Sequence, residues 1–282
     1  MTTAAVERTT IGGLPIDVEH TEHPLTAAER AERMREPGFG RVFSEHMLTI
    51  RWTRDGGWQD ARLTPYGPLV LDPATSALHY GQSVFEGFKV YRGADGSVAA
   101  FRPEANARRF QDSSRRLCLP ELPVDVFVDA VDLLVAHDHE WVPTAPGHTL
   151  SIRPLLFASE PELVVRPSEE CLFVLTAFVA ADYFPRGLKP ISVWVADHFV
   201  RAAPGGTGAA KCAANYAAGL AALTLGALLC LASDTQRLTA SSPPCAGFFV
   251  SVGACGWGRA YGPALYLFLS RPDNYPVKDK KR

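Results

Sequence analysis

The sequence predicts an α/β protein in two domains, an N-terminal one that mixes strands with helices and a shorter C-terminal one. Three observations carry that reading. Apolar and β-branched runs in the first hundred residues are punctuated by Asp55-Gly56-Gly57 and by Gly93-Ala94-Asp95-Gly96, the turn chemistry of antiparallel hairpins. From Pro103 to His137 the apolar residues recur at helical spacing instead. The turn-rich run Ala180-Ala181-Asp182-Tyr183-Phe184-Pro185-Arg186-Gly187 then reads as a connection to a second domain that begins near Lys189.

Taken in order, residues 1–36 form a solvated lead-in, mobile over its first dozen positions, with short helical content between Leu25 and Met34. Residues 43–52 and 63–71 pair as a hairpin around Asp55-Gly56-Gly57. Residues 84–91 have strand composition, turn at Gly93 to Gly96, and return over 98–101. Two helices follow, parted by Pro120-Glu121-Leu122-Pro123, and residues 150–157 and 171–179 are again strands. The N-terminal domain therefore spans 37–178, an interdomain loop 179–189, and the C-terminal domain 190–282, starting on a strand over 191–196. A helix runs from about Asn215 through the apolar tract 217–232. A membrane span asks for roughly 18 to 20 apolar residues. This tract is shorter and holds two glycines, so it reads as a buried helix.

Composition narrows the function. A chain of 282 residues with 47% apolar content can bury a sizeable core. A net charge of −2 gives no electrostatic footprint for nucleic acid or an anionic membrane. The six cysteines form no Cys-x-x-Cys pair and have no histidine at metal-site spacing, so no metal site is expected, and reduced thiols in a cytoplasmic protein are the simpler account. Residues 1–17 hold no apolar run that could serve as a signal peptide.

The chemistry centres on Arg201-Ala202-Ala203-Pro204-Gly205-Gly206-Thr207-Gly208-Ala209-Ala210-Lys211-Cys212-Ala213-Ala214-Asn215-Tyr216, where one lysine stands among small uncharged residues. A lysine held in a closed pocket of this kind loses hydration, which favours its neutral, nucleophilic form. A phosphate-cradling loop would need Gly-Lys-Ser/Thr, and Lys211 lies instead between Ala210 and Cys212. Taken alone, Lys211 also reads as an ordinary turn lysine.

The stretch resembles the Schiff-base segment of the fold-type IV pyridoxal-phosphate enzymes, specifically the branched-chain amino-acid aminotransferases, with Lys211 in the place of the imine lysine. The resemblance extends from about Gly38 to about Ala222. Leu78-His79-Tyr80-Gly81-Gln82-Ser83-Val84-Phe85-Glu86-Gly87 is similar to the family's substrate-facing segment, and Phe101-Arg102-Pro103 with Asn106 and Arg109 to its cofactor-phosphate segment. The resemblance implies that Arg109 binds the phosphate, where a guanidinium fork suits a dianion. It implies that Tyr216 hydrogen-bonds the cofactor ring oxygen, and that Phe39, Tyr80, Phe85 and Arg153 line the substrate pocket. From the residues alone, Arg109 could equally be a solvated helix charge, Tyr216 a helix-packing aromatic and the other aromatics ordinary core.

The implied activity is transfer of an amino group between leucine, isoleucine or valine and 2-oxoglutarate, with Lys211 as the catalytic base and acid and with a homodimer as the working form. Ser151 departs from the family pattern, which usually places an aromatic residue there. After about Leu223 the resemblance stops, and neither the acid that pairs with the pyridine nitrogen nor the later Gly-Thr-Ala loop is found, so a truncated or divergent second domain is expected. Two alternatives stay open: another fold-type IV enzyme, such as a D-amino-acid aminotransferase or a lyase, and a relative that is catalytically impaired or non-catalytic.

Overall fold

Between Val42 and Thr53 the chain runs extended as β3, with Leu48 and Ile50 fully buried and Arg51 exposed. This alternation fixes which face of a strand meets the core. The strand belongs to a computed structural model that describes residues 7–181 and 199–233. Among them, one compact unit comprises residues 7–181 with 210–213, and a second comprises 199–209 with 214–233.

The first unit is built on a nine-stranded sheet. Its strands are β1 (Glu7–Ile11), β2 (Leu14–Val18), β3, β4 (Gly57–Pro65), β5 (Ser83–Phe85), β6 (Phe88–Arg92), β7 (Val98–Ala100), β8 (Thr149–Ala158) and β9 (Glu170–Ala180). They lie in the order β1-β2-β4-β3-β9-β8-β6-β7, with β5 added beside β8, and every pairing is antiparallel except β2 with β4. The long central strands β8 and β9 are buried almost throughout and are accordingly rich in Leu, Ile, Phe and Val. Helix α1 (Ala27–Arg35) starts on a capping box in which Thr26 and Glu29 satisfy each other's backbone N–H groups. A short α2 (Ser76–Tyr80) precedes β5. Helices α3 (Pro103–Arg116) and α4 (Val124–His137) pack on the sheet through one aromatic triad: the Phe173 ring of β9 lies 5.9 Å from Phe110 of α3 and 6.4 Å from Phe127 of α4. Edge-to-face and tilted pairs of this kind add about 0.5 to 1.5 kcal/mol each beyond the area they bury.

The α/β class, the Gly93–Gly96 hairpin, both helices and the strands near 150–157 and 171–179 agree with the sequence reading. Three local features differ. The hairpin partner of β3 begins at Gly57 and ends at Pro65 rather than covering 63–71. The tight turn at residues 54–56 lets pairing resume at once. The expected strand over 84–91 is broken at Glu86-Gly87 into β5 and β6. Opposite the break stands Pro154, whose carbonyl accepts from the Glu86 N–H at 2.9 Å but which has no N–H to return. Within the expected solvated lead-in, residues 7–18 form β1 and β2, and Ile11, Ile16 and Val18 are each 1% exposed, because this hairpin closes one end of the sheet.

In the second unit the expected helix is two pieces, α5 (Ala213–Ala217) and α6 (Leu220–Ser233), interrupted at Gly219. Among the described residues no helix is long and apolar enough to cross a membrane. The expected strand over 191–196, most of the interdomain loop and the divergent tail from Thr235 lie outside the described residues.

Candidate functional site

The backbone of Lys211 is held on both sides within the first unit. Its carbonyl accepts from the Phe85 N–H at 3.0 Å, and Val84 and Cys212 form an isolated antiparallel bridge, so residues 210–213 lie along β5 like one more extended piece of chain. Its N–H donates to the Ser113 hydroxyl on α3 at 2.9 Å. Flanked by buried Ala210 and Cys212, the lysine is itself half-buried, less enclosed than a closed pocket would make it.

Arg109 projects from α3 onto Glu86, directly after β5. Its Nε lies 2.5 Å from Oε1 and its Nη2 2.7 Å from Oε2, a two-point fork. The Asn106 amide at 3.1 Å and the Gly87 N–H at 2.9 Å donate to the same carboxylate. Glu86 is wholly buried, whereas the Arg109 side chain is 55% exposed. An ionised carboxylate at that depth requires a counter-charge and a full set of donors. The solvated-helix-charge reading of Arg109 is therefore set aside: the residue compensates a buried acid while keeping part of its surface open.

Phe85 brings two cations together. Lys211 Nζ lies 4.9 Å and Arg153 Cζ 5.0 Å from its ring centroid. Arg153, from β8, also lies 6.0 Å from the Phe178 ring, against which Phe39 packs edge-on at 5.1 Å. Phe85, Arg153 and Lys211 thus meet, and Phe39, 58% exposed, is linked to them through the Phe178 ring. Tyr80 closes α2 and is 45% exposed, with its ring 6.2 Å from that of His79. Tyr216 lies on α5 in the second unit and is 48% exposed. In that unit, buried Asn215 ties down the preceding loop: its amide donates to the Thr207 carbonyl and its oxygen accepts from the Thr207 hydroxyl, both at 2.8 Å. Ser151 is buried on β8, in register with Lys89 and Phe178. Among the described residues no group of three or more His, Cys, Asp or Glu is placed to hold a metal.

Sequence reasoning missed two residues of this arrangement, Glu86 and Ser113. A glutamate directly after the apolar Val84-Phe85 pair was a legible signal of a buried charge with a partner. A serine in a polar helix carried no signal, since its hydrogen-bond partner lies 98 positions away.

No protein-family model matches the chain. A probable branched-chain-amino-acid aminotransferase from Streptomyces coelicolor is 55% identical over 208 residues, covering 73% of this chain and 58% of the relative. The branched-chain-amino-acid aminotransferase of Mycolicibacterium smegmatis is 51% identical over 212 residues, 75% of this chain and 58% of the relative. Among solved structures, the branched-chain amino acid aminotransferase of Escherichia coli aligns with a TM-score of 0.49 at 24% identity, over 63% of this chain and 54% of that one. Through the portion matched in sequence, the chain belongs to the branched-chain-amino-acid aminotransferase family. It spans about 58% of the length of these curated relatives.

Proposed function

We propose that this chain acts as a branched-chain amino-acid aminotransferase, moving an amino group between leucine, isoleucine or valine and 2-oxoglutarate with pyridoxal 5'-phosphate as cofactor. The observation that carries this is the joining of Lys211 and Arg109 through one serine, beside the Phe85 and Arg153 surface. Pyridoxal phosphate asks a protein for an amine to meet its aldehyde and for charge-assisted donors to meet its phosphate. A half-buried lysine and a partly open guanidinium fit both demands.

When bound, the cofactor supplies an electron sink for the substrate's α-carbon. Lys211 Nζ moves the proton at that carbon, acting in turn as base and acid. Arg109 would hold the phosphate, and the Tyr216 phenol would, as the family resemblance implies, donate to the ring oxygen. Phe39, Tyr80 and Phe85 exclude water from an aliphatic side chain, each buried methylene contributing about 0.8 kcal/mol, while Arg153 orients a carboxylate. A homodimer and a cytoplasmic location complete the proposal, on the family's precedent and on the free thiols of Cys118, Cys171 and Cys212.

The test combines turnover with trapping. Leucine and 2-oxoglutarate should be interconverted to their partner oxo and amino acids, and borohydride reduction should fix the cofactor on the peptide that contains Lys211. Cofactor found on Lys89 or Lys189 instead, or trapping that persists in Lys211→Ala, overturns the reading.

A further inference from the structure

The Ser113 hydroxyl is 1% exposed and makes two hydrogen bonds whose directions are forced. The Arg109 carbonyl, four residues back on α3, can only accept, so the hydroxyl donates to it at 2.9 Å. The Lys211 N–H can only donate, so the hydroxyl accepts from it, also at 2.9 Å. With the Lys211 carbonyl bonded to Phe85 N–H, and Glu86 next to Phe85 gripping the Arg109 side chain, the contacts close a ring through Phe85, Glu86, Arg109, Ser113 and Lys211. Four of these positions lie on β5, on the residue after it and on α3, which belong to the packed body of the first unit. Among the contacts of the lysine segment with that body are the Phe85 and Val84 backbone, the Phe85 ring and this hydroxyl.

We infer that Ser113 is a positioning residue: its hydroxyl fixes the Lys211 backbone at a set distance from Arg109, so that one rigid cofactor can reach amine and guanidinium together. This rests on the reading of Lys211 and Arg109 as the cofactor's partners. A reacting amine displaced by about 1 Å can lose as much as 100-fold in rate, whereas the loss of one neutral hydrogen bond lowers stability only modestly. The kinetic effect is therefore expected to be the larger one.

The experiment measures the rate at which pyridoxal phosphate becomes borohydride-trappable on Lys211, beside its dissociation constant and the urea midpoint, in the full chain. Ser113→Ala should slow attachment about tenfold or more while the protein remains folded. Ser113→Thr, which keeps the hydroxyl, should restore most of the rate, and Ser113→Val, the same shape without it, should not. That isosteric pair decides the matter even if Ser113→Ala folds poorly. Equal attachment rates in the threonine and valine variants, or a lowered urea midpoint with an unchanged rate, overturn the inference. Arg109→Ala and Lys211→Ala separate it from its foundation: if wild type is not trapped at Lys211, or Arg109→Ala binds the cofactor normally, the functional reading itself fails.

Discussion

Arg109 is the counter-ion of Glu86, a carboxylate with no solvent exposure, and holds it at two points from 23 residues along the chain. Arg109→Ala should therefore weaken folding as well as cofactor binding. Removing one partner of a fully buried pair costs about 3 to 5 kcal/mol, and the open side of Arg109 lowers the expected loss to about 2. Urea unfolding of Glu86→Ala, Arg109→Ala and the double variant should give a double loss well short of the sum of the singles. Strict additivity would show that the fork carries no coupling energy.

Gly12 turns β1 into β2 at φ +51°, where a Cβ would lie 2.6 Å from Val126 Cγ2 and 2.8 Å from the Val126 nitrogen at the start of α4. Backbone cannot yield as a side-chain tip can. Gly12→Ala should cost about 2 to 3 kcal/mol, since a left-handed conformation and overpacking act together. Gly13→Ala, at φ +80° with nothing within 4 Å, carries only the conformational part and serves as the control in thermal melts.

The segment between β8 and β9 is organised by Glu160. Burial acts to raise its carboxyl, but the Glu169 N–H, the Arg166 guanidinium and the Ser168 hydroxyl together outweigh that and hold it below the usual carboxylate range. A depressed folded value stabilises above the ordinary pKa of about 4.3 and loses that contribution as pH falls through the lower, folded one. Melting temperatures of wild type and Glu160→Gln should differ most near neutral pH and converge as the solution is acidified below about 4. A gap that stays constant as the pH is taken well below about 4 would contradict the assignment.

Cys171 stands at the start of β9, fully buried, and burial pushes its thiol up to about 12. Alkylation requires the thiolate. Brief iodoacetamide treatment of the native protein at mildly alkaline pH should modify exposed Cys118 and spare Cys171, with both modified after denaturation. Mass mapping that finds Cys171 labelled in the native state would show that β9 opens readily.

Much of the first unit was legible from short-range pattern. Asp55-Gly56-Gly57 and Gly93-Ala94-Asp95-Gly96 announced their hairpins, and apolar spacing announced α3 and α4, because turn conformation and helix periodicity are settled by neighbours a few residues apart. The alternation Leu14-Pro15-Ile16-Asp17-Val18 was also there to be read as β2, but five residues are a weak signal until a sheet edge receives them. The small-residue setting of Lys211 is likewise written in the sequence itself. Tertiary structure alone decided that Glu86 would be buried beneath Arg109, that Phe85 would face both Lys211 and Arg153, and that Ser113 would receive the Lys211 amide. Each of those pairings joins residues 23 to 126 positions apart. A buried polar group must find a partner wherever packing places one, and no local pattern records where that will be.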